Sequence, residues 1–184
     1  IGDTDDASLV RKVIESRGAT PVVPVGAEGS GAQLPVSRRT RAMVKIQEGC
    51  NQVCAFCIVP KVRGRERSIL PDDIVEQINR LVATGYKEAV LTGTQLGSYG
   101  FDLRNMNLAR LLESILSRTD LPRLRVSSLQ PQDISTEMLD LWSDGRLCPH
   151  FHMALQSGSD AVLSRMRRRY TAGMYADALE TIRR

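Results

Sequence analysis

The chain has 184 residues, 42% of them hydrophobic and 25% charged, with a formal net charge of +4. That length buries a sizeable core and suits one domain or one and a part, and the composition excludes a disordered chain. Its apolar runs fall short of a membrane span, and at 4% aromatic content no stacking platform for single-stranded nucleic acid is evident.

Residues 3–17 (DTDDASLVRKVIESR) place Leu9, Val10, Val13 and Ile14 on one helical face, with Gly18 as a stop. Residues 19–37 are rich in Gly, Pro, Ala and Val without a sustained period and read as a linker, with a short strand at 21–25. Residues 41–46 (RAMVKI) alternate as a strand. Pro71-Asp72-Asp73 opens a helix over 72–84, with Ile74, Val75, Ile78, Leu81 and Val82 inward, stopped at Gly85. A strand at 87–92, a helix at 107–117, a strand at 123–128 and a helix at 135–143 follow. A strand at 150–155, a short helix over Asp160–Met166 and a helix over 172–184 complete the pattern.

Strands alternating with helices imply a parallel sheet with right-handed crossovers. A polar segment follows each strand: GCNQVCAFC, then TGTQ, then SSLQP, then QSGS. In β/α barrels the C-terminal strand ends carry the active site. Four strands do not close a barrel, so the expected fold is α/β, a partial, open barrel whose remaining strands lie outside this chain.

Cys50, Cys54 and Cys57 are spaced CxxxCxxC. Iron–sulfur clusters are normally held by four Cys, so a tight group of three leaves one iron of a four-iron cluster open to another ligand. A structural zinc site usually shows two Cys pairs, or Cys pairs with His pairs. The remaining cysteine, Cys148, stands far downstream beside His150 and His152, which keeps a Cys/His zinc site as the alternative. Alone, Cys148 reads as a buried thiol. No secretory leader is evident, so the thiols are expected to be reduced and the protein cytoplasmic, with no membrane association. Basic residues cluster at Arg38, Arg39 and Arg41, at Lys61, Arg63, Arg65 and Arg67, and at Arg165, Arg167, Arg168 and Arg169. Such clusters suit a phosphate-bearing partner, or else a solvated face.

CxxxCxxC at the end of a first strand, ahead of β/α repeats, resembles the radical SAM superfamily. The resemblance implies that Cys50, Cys54 and Cys57 hold a [4Fe–4S] cluster whose open iron binds the amino and carboxylate groups of S-adenosylmethionine (SAM). Reductive cleavage of SAM would then give a 5′-deoxyadenosyl radical. Phe56, the aromatic residue before the last cysteine, would lie near the adenine. EGCNQVCAFCIVPKVRGRERS, LTGTQLGSYGFDL and FHMALQSGSDAVLSRMRRRYT look like segments of the methylthiotransferases, over about residues 40–184. LGSYG and RMRRRYT look most like the group that methylthiolates N6-threonylcarbamoyladenosine next to the tRNA anticodon. Enzymes acting on isopentenyladenosine tRNA or on a ribosomal-protein aspartate are the near alternatives, and a basic RNA-binding module with a structural metal is the non-enzymatic one.

Further expectations follow from the resemblance and from position at the strand ends. Gly93, Thr94 and Gln95 would receive the SAM amino group; a plain turn is the alternative. Ser128, with Ser127 and Gln130 nearby, would meet the ribose or carboxylate. Gln156 and Ser157 end the fourth strand; a Gln buried at the barrel mouth needs partners, so the pair would take a cofactor-binding or network role, and Arg168 would fork onto the SAM carboxylate. Lys61, Arg63, Arg65 and Arg67 would contact tRNA phosphates. Tyr99 faces the substrate or the core. Residues 1–37 resemble the tail of the family's N-terminal domain plus a linker, and 38–184 its radical SAM core. That N-terminal domain would bring a second [4Fe–4S] cluster. Without it the chain is expected to cleave SAM without completing sulfur insertion. A flavodoxin or ferredoxin would donate the electron to a monomeric enzyme.

Overall fold

In a computed structural model, residues 40–184 are described. The helix read at 3–17, the strand at 21–25, the linker and the 37/38 domain boundary lie outside the described residues. The elements are β1 (Arg41–Lys45), β2 (Gln47–Glu48), α1 (Val59–Val62), β3 (Arg67–Ser68), α2 (Pro71–Ala83), β4 (Glu88–Thr92), α3 (Leu108–Arg118), β5 (Arg123–Val126), β6 (Ser128–Leu129), α4 (Thr136–Asp140), β7 (His152–Met153), α5 (Asp160–Arg165) and α6 (Ala172–Arg183).

The helices begin where the local chemistry directs. Pro71 sits in the first turn of α2, and Asp72 and Asp73 complement its positive end. The Asn107 side chain accepts the Arg110 N–H at 2.8 Å to open α3, and Thr171 accepts the Met174 N–H at 3.1 Å to open α6. One face of α2 buries Ile74, Val75 and Ile78, and one face of α3 buries Leu108, Leu111, Leu112 and Ile115. Full burial of each such side chain contributes about 1.5–3 kcal/mol.

β1, β4 and β5 form a parallel sheet with β4 in the middle. β6 pairs with β7 in parallel, and an isolated bridge joins Leu124 to Leu147. The described strands thus form partial sheets and no closed barrel. The register sorts the residues onto two faces. Ala42, Val44, Ala89, Leu91, Leu124 and Val126 are buried, and this face packs in the same core as α2 and α3. Arg41, Met43, Lys45, Glu88, Val90, Thr92, Arg123 and Arg125 share the other face, where Met43 is 58% exposed.

Glu88 holds that open face together. Its carboxylate pairs with Arg125 at 3.0 Å, with Arg41 at 2.9 Å and with Arg123 at 3.6 Å. Burial pushes the carboxyl pKa up, but the Arg125 hydrogen bond and the charges of Arg41 and Arg125 outweigh that and hold it below its usual value. A depressed carboxylate contributes stability that is full above the unfolded pKa, near 4.5, and is lost as pH falls through the lower folded value. Glu88→Gln is therefore expected to flatten the acid limb of the stability–pH curve and to cost about 1–2 kcal/mol at pH 7. Denaturant titrations at about pH 3.5 and 7 check this; an unchanged pH dependence would sink it.

The fold departs from the sequence reading at three places. The strand read at 123–128 breaks at Ser127: Val126 and Leu129 are both core residues, although strict alternation would put Ser128 inside. Burying Leu129 and releasing Ser128 is the hydrophobic choice. The strand read at 150–155 shrinks to His152–Met153 because β6 has two residues before Gln130 and Pro131 turn away, and Pro131 has no N–H to extend a ladder. The helix read at 135–143 stops at Asp140 and tightens into a 3-10 turn over Leu141–Ser143, where the Trp142 indole donates to the Cys148 carbonyl at 3.0 Å. The antiparallel β2–β3 pair and α1 are too short to leave a periodic signal in the sequence.

Candidate functional site

The cysteine loop leaves the C-terminal end of β1 and is closed at its base by β2 and β3, which pair Gln47 with Ser68 and Glu48 with Arg67. Inside the closure, the Cys50 N–H donates to the Gly64 carbonyl at 3.2 Å. Asn51 and Glu66 clasp each other across the loop: Glu66 accepts from the Asn51 backbone at 3.1 Å and side chain at 3.3 Å, and donates its own N–H back at 3.3 Å. At the tip, the Cys57 N–H donates to Cys54 at 3.3 Å, and the Ala55 N–H donates to Met166 at 3.1 Å, which seats the loop on the end of α5.

All three thiols are free; Cys50 and Cys54 are half-buried and Cys57 is exposed. Burial pushes the Cys50 thiol up. Among the described residues no three Cys, His, Asp or Glu side chains converge on a point that would hold one metal ion. An iron–sulfur cluster asks for something else: soft thiolates, each on a separate iron, around an extended group. Three unpaired thiols on one short loop fit that group. The Cys148/His alternative finds no ligand set: among the described residues no group of three Cys, His, Asp or Glu side chains gathers around Cys148, His150 and His152.

Beside the loop, a glutamine network ties the strand ends together. The Gln47 side chain is 1% exposed. Its Oε1 accepts the backbone N–H groups of Thr94 at 3.0 Å and Gln95 at 2.9 Å, and its amide donates to the carbonyls of Glu48 at 3.1 Å and Gly49 at 2.9 Å. Gln95 donates to Asp133 at 3.4 Å and accepts from Gln130, which also reaches Gln52 at 3.4 Å. Gln52 in turn accepts from the Cys54 thiol at 3.8 Å. Burial pushes Asp133 up, opposed by hydrogen bonds from Gln130 and Gln95. Gly97 leaves the room Asp133 needs, since a Cβ there would stand 1.9 Å from its carboxyl carbon.

Several of the anticipated residues meet here. Thr94 and Gln95 join the network, and Gly93 and Thr94 line a cavity of about 350 Å³ with Lys45, Gln47, Arg63 and Thr92. Ser128 stands exposed with His152. Arg168 has its Nε buried without a hydrogen-bond partner, and Tyr170, within electrostatic reach of both Arg168 and Cys54, donates to the Leu155 carbonyl at 2.8 Å. Phe56 projects from the loop and is 88% exposed. Lys61, Arg63, Arg65 and Arg67 are all exposed along the return of the loop. Gln156 is a correction: it is exposed rather than buried. The chain reverses there, with Gln156 at φ +64° and the Ser157 N–H donating to Leu155 at 2.7 Å, which turns the side chain out of the core. Ser157 is half-buried and accepts the Ser159 N–H at 3.1 Å. Tyr99 belongs to the core, 2% exposed, with its hydroxyl on the Ile69 carbonyl at 2.7 Å.

A three-thiol loop at the C-terminal edge of a parallel β/α sheet, bordered by polar strand ends, defines the class: an α/β protein with a set of candidate soft ligands at its strand ends. The sequence profile of the radical SAM superfamily matches residues 44–184. The chain belongs to that superfamily. It is 43% identical over 148 residues to the threonylcarbamoyladenosine tRNA methylthiotransferase MtaB of Bacillus subtilis, covering 79% of this chain and 33% of that protein. A putative methylthiotransferase of Helicobacter pylori (strain 26695) is 46% identical over 144 residues, covering 78% of this chain and 34% of that protein. A tRNA-2-methylthio-N6-dimethylallyladenosine synthase of Pelotomaculum thermopropionicum is 38% identical, covering 95% of this chain and 40% of that protein. The chain thus spans a third to two-fifths of the length of these relatives. Among solved structures, the radical SAM methyltransferase TsrM from Kitasatospora setae, with cobalamin and a [4Fe–4S] cluster bound, aligns with a TM-score of 0.62 at 18% identity over 77% of this chain and 28% of that one. The cobalamin-dependent radical SAM enzyme OxsB aligns with a TM-score of 0.60 at 15% identity over 76% of this chain and 22% of that one. At that identity the likeness concerns the fold.

Proposed function

We propose that this chain is the radical SAM core of a tRNA methylthiotransferase that modifies N6-threonylcarbamoyladenosine next to the anticodon. The observation that carries this reading is the 43% identity over 148 residues to the Bacillus subtilis enzyme of that name. Methylthiolation of dimethylallyladenosine is the second reading, supported by the Pelotomaculum relative, whose similarity covers 95% of this chain.

In this reading Cys50, Cys54 and Cys57 hold the [4Fe–4S] cluster as thiolates. When bound, the cluster supplies the electron that cleaves SAM reductively. The residues do the holding. Gln47 fixes the backbone of Thr94 and Gln95, so that the strand end after β4 is rigid where the SAM amino group is received. Arg168, with its buried Nε unpartnered, clasps the SAM carboxylate. Ser128, Gln156 and Ser157 offer hydroxyl and amide groups to the ribose side, and Phe56 covers the adenine. Lys61, Arg63, Arg65 and Arg67 neutralise tRNA phosphates. The N-terminal domain of the whole protein supplies the second cluster, residues 1–37 are its tail and linker, and a flavodoxin or ferredoxin supplies electrons to a monomeric, cytoplasmic enzyme.

Anaerobic reconstitution of the full-length protein tests the cluster, and nucleoside mass spectrometry tests the substrate. Brown protein is expected, with the loss of about four irons in Cys50→Ala. In tRNA from a deletion strain, threonylcarbamoyladenosine should persist without its methylthio group. Colourless protein holding one zinc would overturn the cluster, and a defect confined to dimethylallyladenosine would favour the second reading.

A further inference from the structure

The last turn of α5 closes in a geometry that ordinarily calls for glycine. The Arg168 N–H donates back to the Leu163 carbonyl at 2.9 Å and the Arg167 N–H to the Ser164 carbonyl at 2.9 Å. These are the paired bonds of a Schellman stop. Such a stop puts one residue in the left-handed region, and here that residue is Arg167, at φ +56°. A side chain with a Cβ is strained there and glycine is not. The Met166 carbonyl, one residue back, accepts the Ala55 N–H at 3.1 Å, so the turn meets the tip of the thiol loop.

Arg165, Arg167 and Arg169 are all exposed around this turn, and none makes an ion pair with a described residue. Met166 between them is half-buried. The turn therefore presents charge without an apolar centre, unlike the middle of a protein–protein interface. The helix dipole accounts for Arg165, which stands in the last turn of α5. It does not account for an arginine at the one position where glycine would be unstrained. Lys61, Arg63, Arg65 and Arg67 belong to the other end of the loop, its returning arm, where Gly64 accepts from Cys50. One basic group thus stands at the base of the thiol loop and the other at its tip.

We propose that the closing turn of α5 is a second phosphate-binding surface, on which Arg165, Arg167 and Arg169 hold the RNA backbone beside the tip of the thiol loop. The inference rests on the reading of the chain as part of a tRNA-modifying enzyme. A guanidinium suits phosphate because its planar fork matches the oxygens and its charge persists at every working pH. The gain comes from released counterions, so exposed cations supply it without burial. Contacts of this kind position a strand and do not read its bases. The left-handed arginine gives up local stability for a cation next to the loop.

The test titrates an anticodon stem-loop carrying threonylcarbamoyladenosine into the full-length protein without SAM, between about 50 and 200 mM salt. Arg167→Gly is expected to weaken binding about two- to fivefold and to lower the slope of log affinity against log salt by about 0.7. Its thermal midpoint should hold or rise, because glycine relieves the strain. Arg165→Gln and Arg169→Gln should each lower the slope by the same amount, and the triple variant by about 2. A lowered midpoint with an unchanged slope in Arg167→Gly would overturn the inference, since the arginine would then serve the fold. A triple variant that keeps its affinity and slope but is reduced more slowly by flavodoxin would overturn it in favour of an electron donor. The same slope changes are expected on a stem-loop carrying dimethylallyladenosine. Tighter binding of that stem-loop by unaltered protein would overturn the proposed substrate and leave this inference standing.

Discussion

Gln47→Leu is expected to lower the stability of the fold by about 3–5 kcal/mol, read as a drop in the denaturant midpoint at unchanged slope. Leucine has nearly the right volume, so the loss is not one of packing. It strips four hydrogen bonds at once, two from the N–H groups of Thr94 and Gln95 and two to the carbonyls of Glu48 and Gly49. Each buried polar group left alone costs about 1–3 kcal/mol, and Thr94, only half-buried, recovers part of that from water. Gln47→Glu should not rescue. It keeps an acceptor for the two N–H groups but turns a second oxygen toward the two carbonyls. A loss under about 1 kcal/mol for Gln47→Leu would mean that the two strand ends are held by something else.

Gly49→Ala should be nearly as damaging and should act on the thiol loop itself. Gly49 has φ +77°, and a Cβ there would stand 2.0 Å from the Arg65 carbonyl oxygen. That oxygen belongs to backbone on the returning arm of the loop, so relief means opening the β2–β3 closure and the Cys50-to-Gly64 hydrogen bond. The left-handed conformation alone costs a non-glycine residue about 1 kcal/mol, and the clash brings the total to about 3 kcal/mol or more. Gly64→Ala is the control. Its φ is +73°, but a Cβ there meets nothing within 4 Å, so only the conformational cost of about 1 kcal/mol applies. Iron stoichiometry after reconstitution and thermal midpoint should both fall further for Gly49→Ala. Equal losses at the two glycines would show that conformation, not the close approach of the two arms, governs the loop.

Much of the fold is legible in the sequence because it rests on local periodicity. The helices read at 72–84 and 107–117 fall at Pro71–Ala83 and Leu108–Arg118, since amphipathic spacing and capping residues are properties of short windows. The parallel order and the gathering of polar segments at the strand ends follow from the β/α alternation. What escapes is set by contacts between distant residues. Gln47 looks like any polar residue after a strand; only the arrival of Thr94 and Gln95 makes it a tether. The chain breaks its strand at Ser127 because Leu129 competes better than Ser128 for the core. The expectation of a buried Gln156 fails for a related reason: a glutamine at a strand end suits the mouth, but the short β6 gives the chain no partner to continue beside.

The bond from Ala55 to Met166 joins parts of the chain that a ribosome makes at different times. The three thiols emerge before the helix end that seats them, so a nascent chain displays its cysteines before it owns a finished cradle. The loop's final shape waits until the chain has been made through Met166. If these cysteines hold the cluster proposed above, iron and sulfide would meet either an unseated run of thiols or the loop seated on Met166.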